Sequence, residues 1–62
     1  VDMYLFTGNY INMNTDKKRS ITFEVDPQFF GSEKDVYKFA IGVAFENKKC
    51  DEVFDSLEFI AG

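Results

Sequence analysis

The sequence predicts a small α+β domain of order β-β-α-β, in which a three-stranded sheet carries one helix on one face. Two observations indicate this fold. Apolar and polar residues alternate over Arg19–Asp26, as in a half-buried strand, and a helical repeat of apolar residues occupies Glu33–Lys49. The chain has 62 residues, so residues 1–62 are expected to form one domain. Val1 and Asp2, which precede Met3, fit a cloning remnant.

The first strand is predicted over Met3–Asn12. Gly8 lies inside this run, and because glycine in a strand often marks a bulge, we favour one bulged strand. The alternative is a turn at Gly8 and Asn9 that divides the segment into two short strands. Large apolar residues on both faces indicate a central strand. One face is assigned Met3, Leu5 and Ile11, and the other Tyr4, Phe6 and Tyr10.

The second strand is predicted over Arg19–Asp26, with an apolar face made of Ile21, Phe23 and Val25. The polar residues 12–19 are rich in turn formers, which indicates a hairpin connection. Asp26 and Pro27 suit the cap and first position of a short helical turn that follows.

The helix is predicted from Glu33 to Lys49, with Ser32 as its N-cap. Its apolar residues cover an arc of roughly 240°, which is wider than the stripe that one sheet face covers. The centre of the arc is assigned to Val36, Phe39, Ala40 and Val43. The arc extends past this centre through Tyr37, Ile41, Ala44 and Phe45.

The last strand is predicted over Glu52–Ala61, with imperfect alternation. A right-handed connection through the helix makes the two outer strands parallel to each other and places the first strand between them. The helix is expected to cover one face of this sheet. One strand face is assigned Val53, Asp55, Leu57, Phe59 and Ala61, and the other Phe54, Ser56, Glu58 and Ile60.

The composition argues against catalysis and metal binding. The chain contains eight Phe and no His, and His is the side chain that most often performs acid–base and metal chemistry near neutral pH. Cys50 is the only cysteine, which excludes an internal disulfide and a Cys/His metal cluster. We therefore assign no catalytic, metal-binding or cofactor-binding residue. The lone thiol is typical of a reducing compartment, so a cytoplasmic protein is expected. No apolar run reaches the roughly 20 residues that a membrane-spanning helix needs.

The apolar residues exceed what so short a chain is expected to bury. A domain of this size buries only about 60% of its unfolded surface, and small domains without disulfides often rely on association. We predict a non-catalytic regulatory protein that forms a homodimer and binds another protein. The alternative is a monomeric core, in which the last strand or residues 27–31 cover the helix flank. Two surfaces are predicted as alternatives for the interface: the helix flank with Tyr37, Ile41, Ala44 and Phe45, or an uncovered sheet face with Tyr4, Phe6 and Tyr10.

Two other function classes rest on charge. The net charge of −4 disfavours binding to nucleic acid and to anionic membranes. An acidic surface would suit a phage or mobile-element inhibitor that mimics nucleic acid. Conversely, Lys17, Lys18 and Arg19 would make a weak nucleic-acid binder if Tyr4 or Tyr10 stacked on a base. The acidic surface would consist of Glu24, Asp26, Asp51, Glu52, Asp55 and Glu58.

Overall fold

The computed structural model of the protein describes residues 3–62 and confirms the predicted small α+β fold. Val1 and Asp2, interpreted above as a cloning remnant, lie outside the described residues. In chain order the elements are β1 (Tyr4–Asn12), β2 (Lys18–Val25), a 3-10 turn (Pro27–Phe29), α1 (Glu33–Glu46) and β3 (Glu52–Ala61).

The sheet has the order β2-β1-β3, and β1 is antiparallel to both of its neighbours. The two outer strands therefore run in the same direction, as predicted. The hairpin between β1 and β2 closes on Asn12, whose backbone N–H donates to the carbonyl of Lys17 at 2.8 Å. Asp16 adopts a φ of 58° in this loop, a conformation that Asp tolerates better than most residues.

The irregular positions of the sheet lie on β3. The register of β1 against β3 shifts between Leu5 and Phe6 and between Asn9 and Tyr10, where β3 carries Ile60 and Asp55 as extra residues. The prediction of one strand through Gly8 is confirmed. The predicted bulge at Gly8 is wrong, because Gly8 pairs in register with both neighbouring strands. The β3 bulges also overturn the predicted faces of that strand. They bring Phe54 onto the same face as Leu57 and Phe59.

Local side-chain caps define the turn and the start of the helix. The Asp26 carboxylate accepts from the Gln28 N–H at 2.9 Å, and the Ser32 hydroxyl accepts from the Asp35 N–H at 3.3 Å. The helix ends at Glu46, three residues before the predicted end. Asn47 terminates it, since its backbone and side-chain N–H groups both donate to the carbonyl of Val43.

The core lies between α1 and the face of β1 that carries Phe6 and Tyr10. This face was predicted to be uncovered, and that prediction is wrong because the helix packs on it. The sheet contributes large side chains to this core and the helix contributes small ones. Phe39 was predicted at the centre of the helix contact, and that prediction is wrong because the residue is 49% exposed. The buried apolar residues are Phe6, Tyr10, Val25, Val36, Ala40 and Ala44.

Candidate interaction surface

Four exposed apolar side chains lie together on the side of the molecule where α1 borders β3. Tyr37, Ile41 and Phe45 are spaced four residues apart, so they follow one face of α1. Phe59 on β3 adjoins the Tyr37 end of this face, with its ring centroid 6.4 Å from that of Tyr37. Each of the four is between 40% and 53% exposed. We refer to Tyr37, Ile41, Phe45 and Phe59 as the lateral patch.

Aromatic contacts fix the lateral patch from below. The buried ring of Phe6 lies 5.4 Å from Tyr37 and 5.6 Å from Phe59, both in edge-on geometry. The ring of Phe45 lies 5.0 Å from that of Phe54. These rings are already packed on their inner sides, so the exposed sides remain available to another chain. The alternative of a monomeric core that absorbs Tyr37, Ile41 and Phe45 does not match these exposures.

Four residues predicted for the interface have a different position. Ala44 and Phe6 are fully buried, and Tyr10 is nearly so. The Tyr10 hydroxyl donates to the carbonyl of Ala44 at 2.5 Å, which joins β1 to α1. Tyr4 is half-buried, and its ring packs edge-on against Phe59. These residues hold the helix and β3 in place and lie beneath the exposed surface.

The sheet face opposite the helix is largely polar. Asn9 lies at its centre, where its amide donates to Ser56 at 3.1 Å and to Glu58 at 2.9 Å and accepts from Ser20 at 2.7 Å. The hydroxyls of Thr7 and Thr22 are 3.3 Å apart beside it. Because these groups bond one another, the face is suited to contact with water and needs no covering layer.

Glu52 is only 5% exposed, so it is not part of the predicted acidic surface. Arg19 donates to both oxygens of this carboxylate, at 2.8 and 2.7 Å, and the Lys49 N–H donates at 3.0 Å. The hydrogen bonds from Arg19 are the main cause that lowers the pKa of Glu52 to about 2, against the opposing effect of burial. Arg19 also lies 4.5 Å above the Tyr10 ring and donates to the carbonyl of Asn47. Through these contacts Arg19 on β2 is joined to Tyr10 on β1, to Glu52 on β3 and to Asn47 at the end of the helix.

The other predicted acids are dispersed. Asp26 caps the 3-10 turn, and Asp51 accepts from the Asn12 amide at 2.8 Å. Glu24, Asp55 and Glu58 are exposed. The basic run is divided as well, since Arg19 faces Glu52 while Lys17 and Lys18 are exposed.

Comparison with known proteins gives no information on the function of this chain. No protein-family model, no curated protein and no solved structure matches this chain. Within residues 3–62, no three or more acidic, Cys or His side chains are grouped so that they could hold a metal ion. In the same part of the chain, no helix has the length and apolar character needed to cross a membrane.

Proposed function

We propose that this chain is a small non-catalytic protein-interaction protein that binds and modulates another protein through the lateral patch. The observation that carries the proposal is a row of three large apolar side chains on α1 with Phe59 beside Tyr37, each of the four at least 40% exposed, in a chain of 62 residues. If a partner buries on the order of 300 Å² there, at about 25 cal/mol per Å², the contribution is roughly 7 kcal/mol. That value is comparable to the whole stability of a small domain.

The shape of the lateral patch favours an amphipathic helix as the partner segment. Tyr37, Ile41 and Phe45 form an exposed row along α1, and Phe59 on β3 lies beside the Tyr37 end of that row. A depression of about 270 Å³ at this end of the lateral patch can accept a large apolar side chain, and its lining residues are Tyr4, Glu33, Tyr37, Phe59 and Gly62. A helix that carries apolar residues three and four positions apart would place them along this row, with one of them at the depression.

Selection from a displayed library of random amphipathic helices tests the proposal with a defined probe. We expect enrichment of sequences with apolar residues at helical spacing, and we expect Ile41→Asp to abolish their binding. Gln28→Asp is the matched control, because it adds the same charge at an exposed position on the 3-10 turn. Failure to enrich any sequence, or equal binding to Ile41→Asp and the unaltered protein, would contradict the proposal.

The other function classes have less support. An inhibitor that mimics nucleic acid needs a continuous acidic surface, whereas Glu52 is buried against Arg19. A nucleic-acid binder that uses Lys17, Lys18 and Arg19 would have to break the same ion pair, and Tyr10 is buried. We propose a cytoplasmic location, because the single thiol of Cys50 is exposed and a reducing compartment would keep it free.

A further inference from the structure

We infer that this chain forms a homodimer in which β2 pairs edge to edge with β2 of a second copy. This inference goes beyond the proposed function and does not depend on the lateral patch. The two outer strands, β2 and β3, each have one side without a neighbouring strand in the sheet. An unpaired strand edge offers backbone N–H and C=O groups to another chain.

The backbone groups on the free edge of β2 can be assigned from the hairpin. The Asn12 N–H donates to the Lys17 carbonyl, so these two residues form a hydrogen-bonded pair. Such pairs alternate along an antiparallel ladder, which turns the odd-numbered residues of β2 toward β1. The N–H and C=O groups of the even-numbered residues therefore point to the free edge. These residues are Lys18, Ser20, Thr22 and Glu24, and all four are exposed.

The side chains of β2 are complementary to their own copy in reverse order. Antiparallel pairing about Ile21 places Lys18 opposite Glu24 of the second copy, and Glu24 opposite its Lys18. Ser20 and Thr22 face each other in the same way. Each of these pairs exchanges two backbone hydrogen bonds in this register. The two-fold axis passes between Ile21 of one copy and Ile21 of the other. The contact is therefore self-complementary and forms a closed dimer.

Strand β3 is a poorer edge for self-association. Its bulges at Asp55 and Ile60 interrupt the ladder, and bulges discourage edge pairing. Its exposed charges, Asp55 and Glu58, are both acidic, and residues 50–62 contain no base. Antiparallel pairing of β3 with its own copy would concentrate negative charge, whereas pairing of β2 joins opposite charges at two positions.

The β2 dimer also covers apolar surface on the helix side. Ile21 is half-buried in the monomer and lies on the apolar face of β2 with Phe23 and Val25. A two-fold axis perpendicular to the sheet keeps both helices on one face and brings the two copies of Ile21 opposite each other. The product is a six-stranded sheet with one lateral patch at each end, which leaves both patches available to partners.

Charge exchange tests this register. Sedimentation equilibrium over a range of concentrations should give twice the chain mass of 7.2 kDa for the unaltered protein. Lys18→Glu alone and Glu24→Lys alone should each raise the dimer dissociation constant about tenfold, because each places like charges opposite at two positions. The double variant Lys18→Glu/Glu24→Lys should restore the original dissociation constant, since it exchanges the two charges.

A backbone variant tests the edge itself. Thr22→Pro removes an N–H that points away from β1, so the monomer should keep its far-UV circular dichroism and lose the dimer. The inference is overturned if the unaltered protein is monomeric at all concentrations, or if the double charge variant fails to recover the dimer. A dimer that survives Thr22→Pro and dissociates in Ile41→Asp would overturn it too, and would assign self-association to the lateral patch.

Discussion

The hydroxyl of Tyr10 and the carbonyl oxygen of Ala44, 2.5 Å apart, form a buried hydrogen bond that joins the central strand to the last turn of the helix. The carbonyl accepts this bond where the helical ladder is ending, since the Lys48 N–H donates to Phe45 instead. The hydrogen bond satisfies a carbonyl that would otherwise be buried without a donor.

Tyr10→Phe should lower the free energy of unfolding by about 1–3 kcal/mol, because the Ala44 carbonyl then lacks this donor in a buried position. Urea unfolding measures the change. Tyr37→Phe is the control, since it removes a hydroxyl from an exposed ring and should change stability by less than about 0.5 kcal/mol. An equal decrease in the free energy of unfolding for the two variants would show that the hydrogen bond to Ala44 does not contribute to stability.

The ion pair of Glu52 predicts the response of stability to acid. The folded pKa of about 2 lies below the usual 4.5, so its contribution is complete above pH 4.5 and is lost as the pH falls toward 2. Urea midpoints between pH 7 and pH 2.5 should therefore fall more steeply for the unaltered protein than for Glu52→Gln. The exposed Glu58→Gln serves as control and should retain the steep fall. Parallel curves for the unaltered protein and Glu52→Gln would refute this role.

Two glycines should respond in opposite directions to replacement by alanine. A Cβ at Gly8 would lie 3.2 Å from the Tyr10 hydroxyl and 3.5 Å from the Ala44 Cβ, so Gly8→Ala should destabilise the protein by about 1–3 kcal/mol. A Cβ at Gly42 meets no atom within 4 Å, and Gly42→Ala should stabilise the helix by about 0.8–1 kcal/mol. Thermal unfolding of the two variants decides both signs, and a gain from Gly8→Ala would mean that the helix is not held closely there.

Charge substitutions on two sides of the helix should separate the core from the lateral patch. Val36 is buried, so Val36→Asp should unfold the protein, because an unpaired buried carboxylate costs more than a small domain can supply. Ile41→Asp should keep the native fold, since Ile41 can present the new charge to water. Near-UV circular dichroism distinguishes the two, and loss of native signal in Ile41→Asp would place that residue in the core.

The local features of the fold could be predicted because nearby residues determine them. Strand β2 followed from strict alternation, and the caps at Asp26 and Ser32 followed from side chains that bond within three residues. The bounds of β3 were also predicted. The end of the helix was placed too late, since the two bonds that Asn47 makes to Val43 have no distinct sequence pattern.

Features that depend on distant contacts were not predictable in the same way. The side of the helix that faces the sheet is an example: Ala44 packs close to Gly8 on β1, whereas Phe39 is exposed. The bulges of β3 move Phe54 onto the face of Leu57 and Phe59. Phe59 was not predicted as part of the lateral patch, because its contact with Tyr37 joins two residues that are distant in the sequence. The burial of Glu52 depends on Arg19, 33 residues away. A sequence shows both charges but not their proximity.

The central position of β1 has a consequence for the order of folding. The hairpin with β2 closes through a short loop, but β3 reaches β1 only after the turn and the helix have been spanned, and closing a longer loop costs more entropy. We expect docking of β3 to be the slow step. Until it docks, the ring of Phe6 lacks Phe59 and the guanidinium of Arg19 lacks Glu52. We therefore expect a nascent chain to expose the aromatic side chains of β1 until β3 has been synthesised up to Ala61 and has paired with β1.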